Sequence, residues 1–351
     1  MRSCPSLAYV IDPRFPGGTS TAVAAELRAL AGLARLQVHA VESRMFSGRS
    51  VAPALADALA ELRLELEWDS ETISADLVIL CNPVFLKFQS GLGKRIIARQ
   101  LIVVTSENFL LPGGSEAFDV GRCLDQIEGA SLVMRGSLAP VSPYNRSTVR
   151  GWLERSGRRA GWSVLDRDWC NICDFPRHPP TDMPTDRRGR LSRPGPEKFP
   201  ALHDMDLCFP KHADANVILG GDAFMHPELR RPHWTIYPFR GIEVTQLFKM
   251  IDFMVYFTAS TWRESFGMVL AEAIAAGKVV ISDPQTAETF GGAVVAAQPA
   301  DVDGLIARFI ADPSLYRQQV ERGQAGLSGY SAASFREGLA DLLCVSVGVA
   351  A

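Results

Sequence analysis

Short apolar segments that alternate with amphipathic stretches along most of the chain constrain its fold more than any other feature. Five such runs occur in the first half and five in the second, and most are followed by turn residues. Strands that are apolar on both faces belong in a sheet covered on both sides. The pattern predicts parallel α/β structure, with strands near 7–11, 77–80, 101–104, 132–134, 162–165, 217–221, 234–238, 252–257, 278–282 and 293–297.

The length of the chain predicts two domains. Its 351 residues exceed the roughly 250–300 residues at which one hydrophobic core usually stops growing. Residues 166–200 interrupt the alternation with many Pro and Arg, which is typical of a linker or a long functional loop. We expect two Rossmann-like, doubly wound domains facing across a cleft, at 1–165 and 186–351, joined by a linker at 166–185. The last helix either closes the second domain or packs back on the first.

Charge is unevenly distributed along the chain. The net charge is -3, but residues 135–198 contain 13 Arg or Lys against 7 Asp or Glu, a local +6. Such a segment faces phosphates, an anionic lipid surface or water. The stretch from Arg146 to Arg159 would suit a lipid-linked acceptor at a membrane, or equally a solvated face. No nucleic-acid partner is expected.

Cysteine and hydropathy patterns favour a cytoplasmic protein. Seven scattered Cys form no disulfide framework, and the Cys170-x-x-Cys173 pair lacks the second pair that a structural zinc would need. We therefore expect no zinc at this pair, and since no DxD-like pair of carboxylates stands out in the sequence, we expect no metal and no other cofactor. The apolar run at 7–11 is too short for a signal peptide, and no run approaches the ~18 residues of a membrane span. Peripheral attachment to the inner face of the membrane remains the alternative.

The stretch ESFGMVLAEAIAAGKVVIS, residues 264–282, carries the chemistry. It predicts a loop, a helix over 266–276 and a strand. The first-turn amides of such a helix lack intrahelical acceptors, and Gly267 would let a diphosphate approach them closely. Glu272, one turn further, could accept hydrogen bonds from both hydroxyls of a ribose. Glu264, just before the helix, would lie near a sugar on the distal phosphate.

This stretch resembles the E-x-F-G-x4-E-A-x-A-x-G-x-P-V-I signature of GT-B retaining glycosyltransferases of the GT4-like family. The resemblance implies a first, acceptor domain and a second, nucleotide-sugar donor domain. It implies that Glu264 contacts the donor sugar and that Glu272 holds the ribose. The diphosphate would be bound by the turn made of Ser265, Phe266, Gly267, Met268 and Val269.

Two further segments extend the resemblance. In RRGRLSRPGPEKFP, Arg190 and Lys198 correspond to the Arg and Lys with which the family neutralises the donor diphosphate, although the spacing is longer and Arg193 competes. With Glu264, they are the residues to which the resemblance assigns catalysis. After the first predicted strand, Gly17 and Gly18 resemble the family's glycine-rich loop and are expected at the donor site.

The first domain departs from the family in one place. Many relatives carry a His in a loop after the strand near residue 100, whereas this chain has Glu107 and Asn108 there, which become the acceptor-side candidates. The implied reaction moves a sugar from a nucleotide diphosphate to a hydroxyl of a glycan, a lipid-linked glycan or a small molecule, with retention and without metal. A role in polysaccharide biosynthesis would fit.

Other functions of the same architecture stay open at this point. A nucleotide-sugar epimerase and a non-catalytic nucleotide- or carbohydrate-binding module both use such a pocket. A nicotinamide-dependent oxidoreductase would need G-x-G-x-x-G after the first strand, which this chain lacks. No motif in the sequence identifies the donor base and sugar, the acceptor or the oligomeric state.

Overall fold

The structure is a computed structural model that describes residues 5–15, 17–158 and 161–346. Pro16, beside the predicted glycine-rich loop, and Arg159, at the end of the basic stretch, lie outside the described residues. The chain forms two compact units, one made of Met1–Ile172 and Tyr330–Ala351 and the other of Cys173–Gly329.

Strands occur in both units. In the first they are β1 (Ser6–Ile11), β2 (Arg35–Ala40), β3 (Leu66–Glu67), β4 (Thr72–Cys81), β5 (Arg95–Thr105), β6 (Ser131–Pro140) and β7 (Ser163–Val164). In the second they are β8 (Arg187–Leu191), β9 (Ala215–Leu219), β10 (Thr235–Tyr237), β11 (Phe253–Tyr256), β12 (Val279–Ser282) and β13 (Val294–Ala296).

Helices connect these strands. The first unit contains α1 (Gly18–Leu30), α2 (Pro53–Leu62), α3 (Val120–Ala130), α4 (Pro143–Ser156) and, from the end of the chain, α11 (Ala332–Ser346). The second contains α5 (Leu202–Cys208), α6 (Val244–Met250), α7 (Met268–Ala275), α8 (Pro284–Glu288), α9 (Val302–Ala311) and α10 (Pro313–Gly326).

Each unit is built around one parallel sheet. Among the described residues, the first sheet has seven strands in the order β3-β2-β1-β4-β5-β6-β7, and the second has six in the order β10-β9-β8-β11-β12-β13. All pairings between these strands are parallel. The chain order reverses between β1 and β4 in one sheet and between β8 and β11 in the other. The predicted class, two doubly wound Rossmann-like sheets, is confirmed.

Strand β8 corrects the prediction that 166–200 is a linker or loop. Arg187–Leu191 lies in the middle of the second sheet, in register with β9 on one side and β11 on the other. Its sequence, RRGRL, does not read as a buried strand because Arg188 and Arg190 are charged. Both side chains are nevertheless buried, since Arg188 donates to the carboxylates of Asp186 and Asp303 and Arg190 is enclosed by aromatic rings.

The segment that follows Cys173 is fixed against α7. The amide of His178 donates to the carbonyl of Ala275 at 2.8 Å, and the Gln324 side chain donates to the His178 carbonyl at 2.7 Å. A Cβ at Gly277, whose φ is +75°, would lie 2.7 Å from the carbonyls of His178 and Pro179. We name residues 173–180 the strap.

Helix α11 belongs to the first unit. Arg336 donates to the carbonyls of Ala29 and Ala31, at 2.9 and 3.0 Å, and so ties α11 to the end of α1. Phe335 packs edge-on against Trp169, with ring centroids 5.3 Å apart. Within the described part of the chain, no helix is long and apolar enough to cross a lipid bilayer.

Candidate functional site

The candidate site lies where the chain order of the second sheet reverses. Strands β8 and β11 are neighbours there, and the loops that leave their carboxyl ends come together. The amide of Ala259, after β11, donates to the carbonyl of Glu197, after β8, at 3.1 Å. In open α/β sheets, ligands bind beyond the carboxyl ends of the strands at such a point.

Lys198 and Glu264, predicted together from two distant motifs, form an ion pair at this point. The Lys198 ammonium donates to Oε1 of Glu264 at 2.9 Å. Tyr256, the last residue of β11, donates its hydroxyl to the same oxygen. The ammonium also lies 3.6 Å from the centre of the Trp262 ring, where the aromatic face attracts a cation. The side chains of Lys198 and Glu264 are only 8% and 15% exposed, so the pair is screened by little water.

Arg190 is enclosed beside this pair. Its guanidinium is fully buried, donates to the carbonyls of Phe257 at 3.0 Å and Lys198 at 2.5 Å, and stacks on the ring of Phe199. Burial lowers its pKa to about 10, so it remains a cation at neutral pH. The structure thus places Arg190 next to Lys198, and its contact with a diphosphate stays a prediction. Arg193, its competitor, is exposed.

Two cations and one carboxylate leave this cluster with a net positive charge. Arg190 and Lys198 are opposed by Glu264, and each of the three is at least mostly buried. A buried excess charge is costly unless a partner compensates it. The cluster therefore favours an anion.

The start of α7 opens beside the cluster. Gly267 precedes the helix in the left-handed region, with φ +92°, and among the described residues no side chain caps the first turn. Ser265 and Phe266 are buried, and the Phe266 ring packs edge-on against Phe290 at 5.3 Å. The amides that follow Gly267 carry the partial positive charge of a helix start.

Glu272 is a carboxylate without a partner one turn into α7. It is half-buried, and no hydrogen bond or ion pair links its side chain to any residue that the structure describes. Desolvation alone raises its pKa. Met268 precedes it by one helical turn, and Met268 and Val269 are also half-buried. A ligand with hydroxyl donors would satisfy this carboxylate.

The remaining predicted site residues lie in the first unit. Gly17 and Gly18 follow β1 at the start of α1, and Gly17 has φ +110° with open space around its Cβ position. Asn108 and Glu107 follow β5. The side chain of Asn145 on α4 donates to the Asn108 Oδ1 at 3.0 Å and to the Glu107 carbonyl at 3.1 Å, so their loop is anchored. Their roles toward donor or acceptor stay predictions.

Part of the basic stretch that the sequence singled out is used inside the first unit. Arg146 is paired with Asp168 at 2.6 Å, and Arg158 is paired with Asp125 at 2.6 Å. Arg155 donates to the carbonyl of Gly114 at 2.6 Å. Arg146 and Arg155 thus contact neighbouring loops, and Arg158 contacts α3.

One group of residues has the spacing of metal ligands among those that the structure describes. Ligand atoms of Asp186, His212 and Asp303 lie within 4.8 Å of one another. Arg188, however, donates to both carboxylates, at 2.6 Å to each. Because this guanidinium already supplies a positive charge there, the group does not fit a cation well.

Sequence reasoning missed Tyr256 and Trp262. Tyr256 was part of an apolar run and was therefore interpreted as core, and Trp262 lay in the loop between that run and Glu264. A hydroxyl on the final residue of a central strand was the available signal, because that position faces the ligand edge of the sheet.

Comparisons with known proteins agree with this architecture. No protein-family model and no curated protein sequence is significantly similar to the chain. Solved structures do match it. Anabaena HepE in complex with UDP and glucose has a TM-score of 0.66 at 13% identity, over 97% of this chain and 100% of that one. Sucrose-phosphate synthase from Thermosynechococcus elongatus has a TM-score of 0.63 at 13% identity, over 98% and 99% of the two chains.

A third match is a glycosyltransferase from Rickettsia africae, with a TM-score of 0.60 at 13% identity over 98% and 99% of the two chains. At these identities the similarity establishes the fold. The chain therefore has the fold of GT-B glycosyltransferases, as its sequence predicted.

Proposed function

We propose that the protein is a glycosyltransferase that moves a sugar from a nucleoside diphosphate sugar to an acceptor hydroxyl, with retention of anomeric configuration and without a metal ion. The observation that carries the proposal is the Glu272 carboxylate, left without a partner one turn below the open start of α7. It lies on the helix whose first turn has no side-chain cap among the described residues and begins close to the positively charged cluster.

In this proposal the donor binds along the start of α7. The diphosphate contacts the first-turn amides after Gly267, which suit an anion. The ribose hydroxyls donate to Glu272, and the sugar lies near Glu264. Three separate groups of the donor thus meet three complementary groups of the second unit.

Catalysis would come from stabilising the leaving diphosphate. Negative charge develops on that group as the bond to the sugar breaks, and fixed positive groups in a poorly hydrated site lower its energy. Lys198 and the α7 amides would do this directly, and Arg190 would add its charge from behind. These groups perform the task that a divalent cation performs elsewhere.

The matched structures support a uridine nucleotide as the first ligand to test. HepE has been solved with UDP, with UDP and glucose, and with UDP-glucose. The acceptor is a hydroxyl of a glycan, a lipid-linked glycan or a small molecule.

Isothermal titration with UDP, GDP, ADP and TDP tests the donor site. We expect one nucleotide to bind, and Glu272→Ala to weaken it by about 1–3 kcal/mol, the scale of losing hydrogen bonds to a charged group. Glu321→Ala, which removes an exposed carboxylate from α10, is the matched control and should leave binding unchanged. Failure of folded wild-type protein to bind any of the four would overturn the proposal.

Turnover then tests the chemistry. With the preferred nucleotide and a panel of its sugars, we expect transfer to an acceptor to persist in excess EDTA and the product to keep the anomeric configuration of the donor, as read by proton NMR. An inverted product, or activity that EDTA abolishes and Mg²⁺ restores, would contradict those parts of the proposal.

A further inference from the structure

Tyr256 occupies a position that the proposed function does not yet use. It is the last residue of β11, is 1% exposed, and donates its hydroxyl to Oε1 of Glu264. The same oxygen accepts from the Lys198 ammonium at 2.9 Å. Oε2 of Glu264 has no hydrogen-bond partner among the residues that the structure describes. Oε1 of Glu264 therefore accepts two hydrogen bonds, and Oε2 is available to a ligand.

The ring of Tyr256 is itself held in place. The Arg190 guanidinium lies 5.0 Å from the centre of the ring. The backbone of Tyr256 is paired with Ser282 of β12, whose hydroxyl donates to the Tyr256 carbonyl at 2.6 Å. Burial raises the pKa of the phenol well above its usual value, so the hydroxyl keeps its proton and remains a donor. It is a rigid hydrogen-bond donor, in contrast to a lysine with four rotatable bonds.

We infer that Tyr256 is a positioning residue that holds Glu264 for the donor sugar and thereby determines how much the sugar adds to nucleotide binding. This inference rests on the proposed function. A bound diphosphate attracts the Lys198 ammonium, which then divides its hydrogen bonds between the phosphate and Glu264. The Tyr256 hydroxyl becomes the bond that keeps the free Glu264 oxygen aimed at the sugar.

A positioning role and a purely structural role of Tyr256 predict different changes in binding. A structural role would weaken the binding of UDP and of a UDP-sugar together, whereas a positioning role would weaken only that of the UDP-sugar. In the proposed arrangement the ribose is bound by Glu272 and the diphosphate by Lys198 and the α7 amides, whereas the Tyr256 hydroxyl is used on Glu264. The Kd for the bare nucleotide should therefore depend little on that hydroxyl. A sugar that donates to Oε2 of Glu264 should sense it, because a mobile carboxylate is a poorer acceptor. The ratio of the Kd for UDP to the Kd for a UDP-sugar measures that contribution.

The test compares Tyr256→Phe with wild type by isothermal titration, using UDP, UDP-glucose, UDP-galactose and UDP-N-acetylglucosamine, or the same series on whichever nucleotide binds. For the sugar that wild type prefers, we expect the ratio to fall ~10-fold, the scale of losing one hydrogen bond to a charged group, while the Kd for UDP changes less than twofold. Tyr316→Phe is the matched control. It removes a buried hydroxyl that donates to the Asp252 carbonyl at 2.9 Å, away from Glu264, and should leave the ratio unchanged.

The outcomes distinguish failure of the proposed function from failure of the positioning role of Tyr256. If wild type binds no nucleotide, the proposed function fails. If it binds nucleotide and the ratio is the same in Tyr256→Phe, the positioning role is overturned while the donor site stands. If Tyr256→Phe does not fold, Glu264→Asp withdraws the carboxylate by one methylene and keeps its charge. The same selective loss is then expected, and an unchanged ratio overturns the inference.

Discussion

Gly220→Ala should destabilise the second unit by about 3 kcal/mol or more, the largest steric effect that any glycine substitution in the described chain is expected to have. Gly220 has φ +83°, and a Cβ there would lie 1.8 Å from the carbonyl oxygen of Ser192. Neither backbone can move freely, because Ser192 donates to Leu219 at 3.1 Å and Gly220 donates to Tyr237 at 2.9 Å. The clash can be relieved only by breaking these hydrogen bonds at the end of the second sheet.

Gly291→Ala is the control that separates the two causes of the expected loss in unfolding free energy, the steric clash and the positive φ. Gly291 belongs to the same unit and also has positive φ, +54°, but nothing lies within 4 Å of its Cβ position. We expect this variant to lose only about 1 kcal/mol, the cost of a left-handed alanine. Urea titrations followed by circular dichroism measure both losses. Equal losses in the two variants would contradict the steric explanation.

The second large effect is a dependence of stability on pH that originates at Glu26. This carboxyl is 2% exposed inside the first unit and accepts hydrogen bonds from Tyr9 at 2.8 Å and from Trp169 at 2.9 Å. Burial raises its pKa to about 7 from 4.5. The other titratable groups facing it, the Tyr9 phenol and the Cys81 thiol, have pKa values raised by burial and stay neutral.

The sign follows from proton binding. Between pH 4.5 and 7 the folded chain keeps a proton on Glu26 that the unfolded chain has released. The protonated carboxyl thus contributes stability that is complete below about pH 4.5 and is lost as the pH rises through about 7. A shift of this size corresponds to about 3 kcal/mol.

Glu26→Gln isolates this contribution, because a neutral amide cannot ionise. We expect wild type to lose about 3 kcal/mol relative to Glu26→Gln between pH 4.5 and pH 8.5, measured by urea titration at a series of pH values. Glu65→Gln, at an exposed position of the same unit, serves as control and should follow wild type. Parallel profiles for wild type and Glu26→Gln would show that Glu26 ionises normally.

Much of the fold was predictable because its determinants are local. Ten apolar runs marked strands, and the E-S-F-G to Glu272 spacing marked a helix start beside a ligand edge. Strand β8 was not predictable in this way. Arg188 and Arg190 are buried only because carboxylates and rings from distant parts of the chain surround them, and no local pattern carries that information.

The candidate site likewise contains residues that motifs predicted and residues that only the structure reveals. Glu264 and Lys198 were each predicted from a motif, and the structure joins them. Tyr256 and Trp262 acquire a role only from that meeting, because one shares Glu264 and the other lies under the Lys198 ammonium. Spacing along a sequence identifies residues at fixed positions on one local element, whereas such shared contacts depend on tertiary structure.

The strap has a consequence for building chimeras of this protein. A cut at residue 185, where composition suggests a linker ends, would remove the His178 amide from the Ala275 carbonyl and leave the Gln324 side chain as the other donor to it. A transplant of the second unit therefore has to begin at Cys173. Since α11 returns to the first unit, it also has to stop at Gly329, so that the exchanged piece is an insert with two junctions.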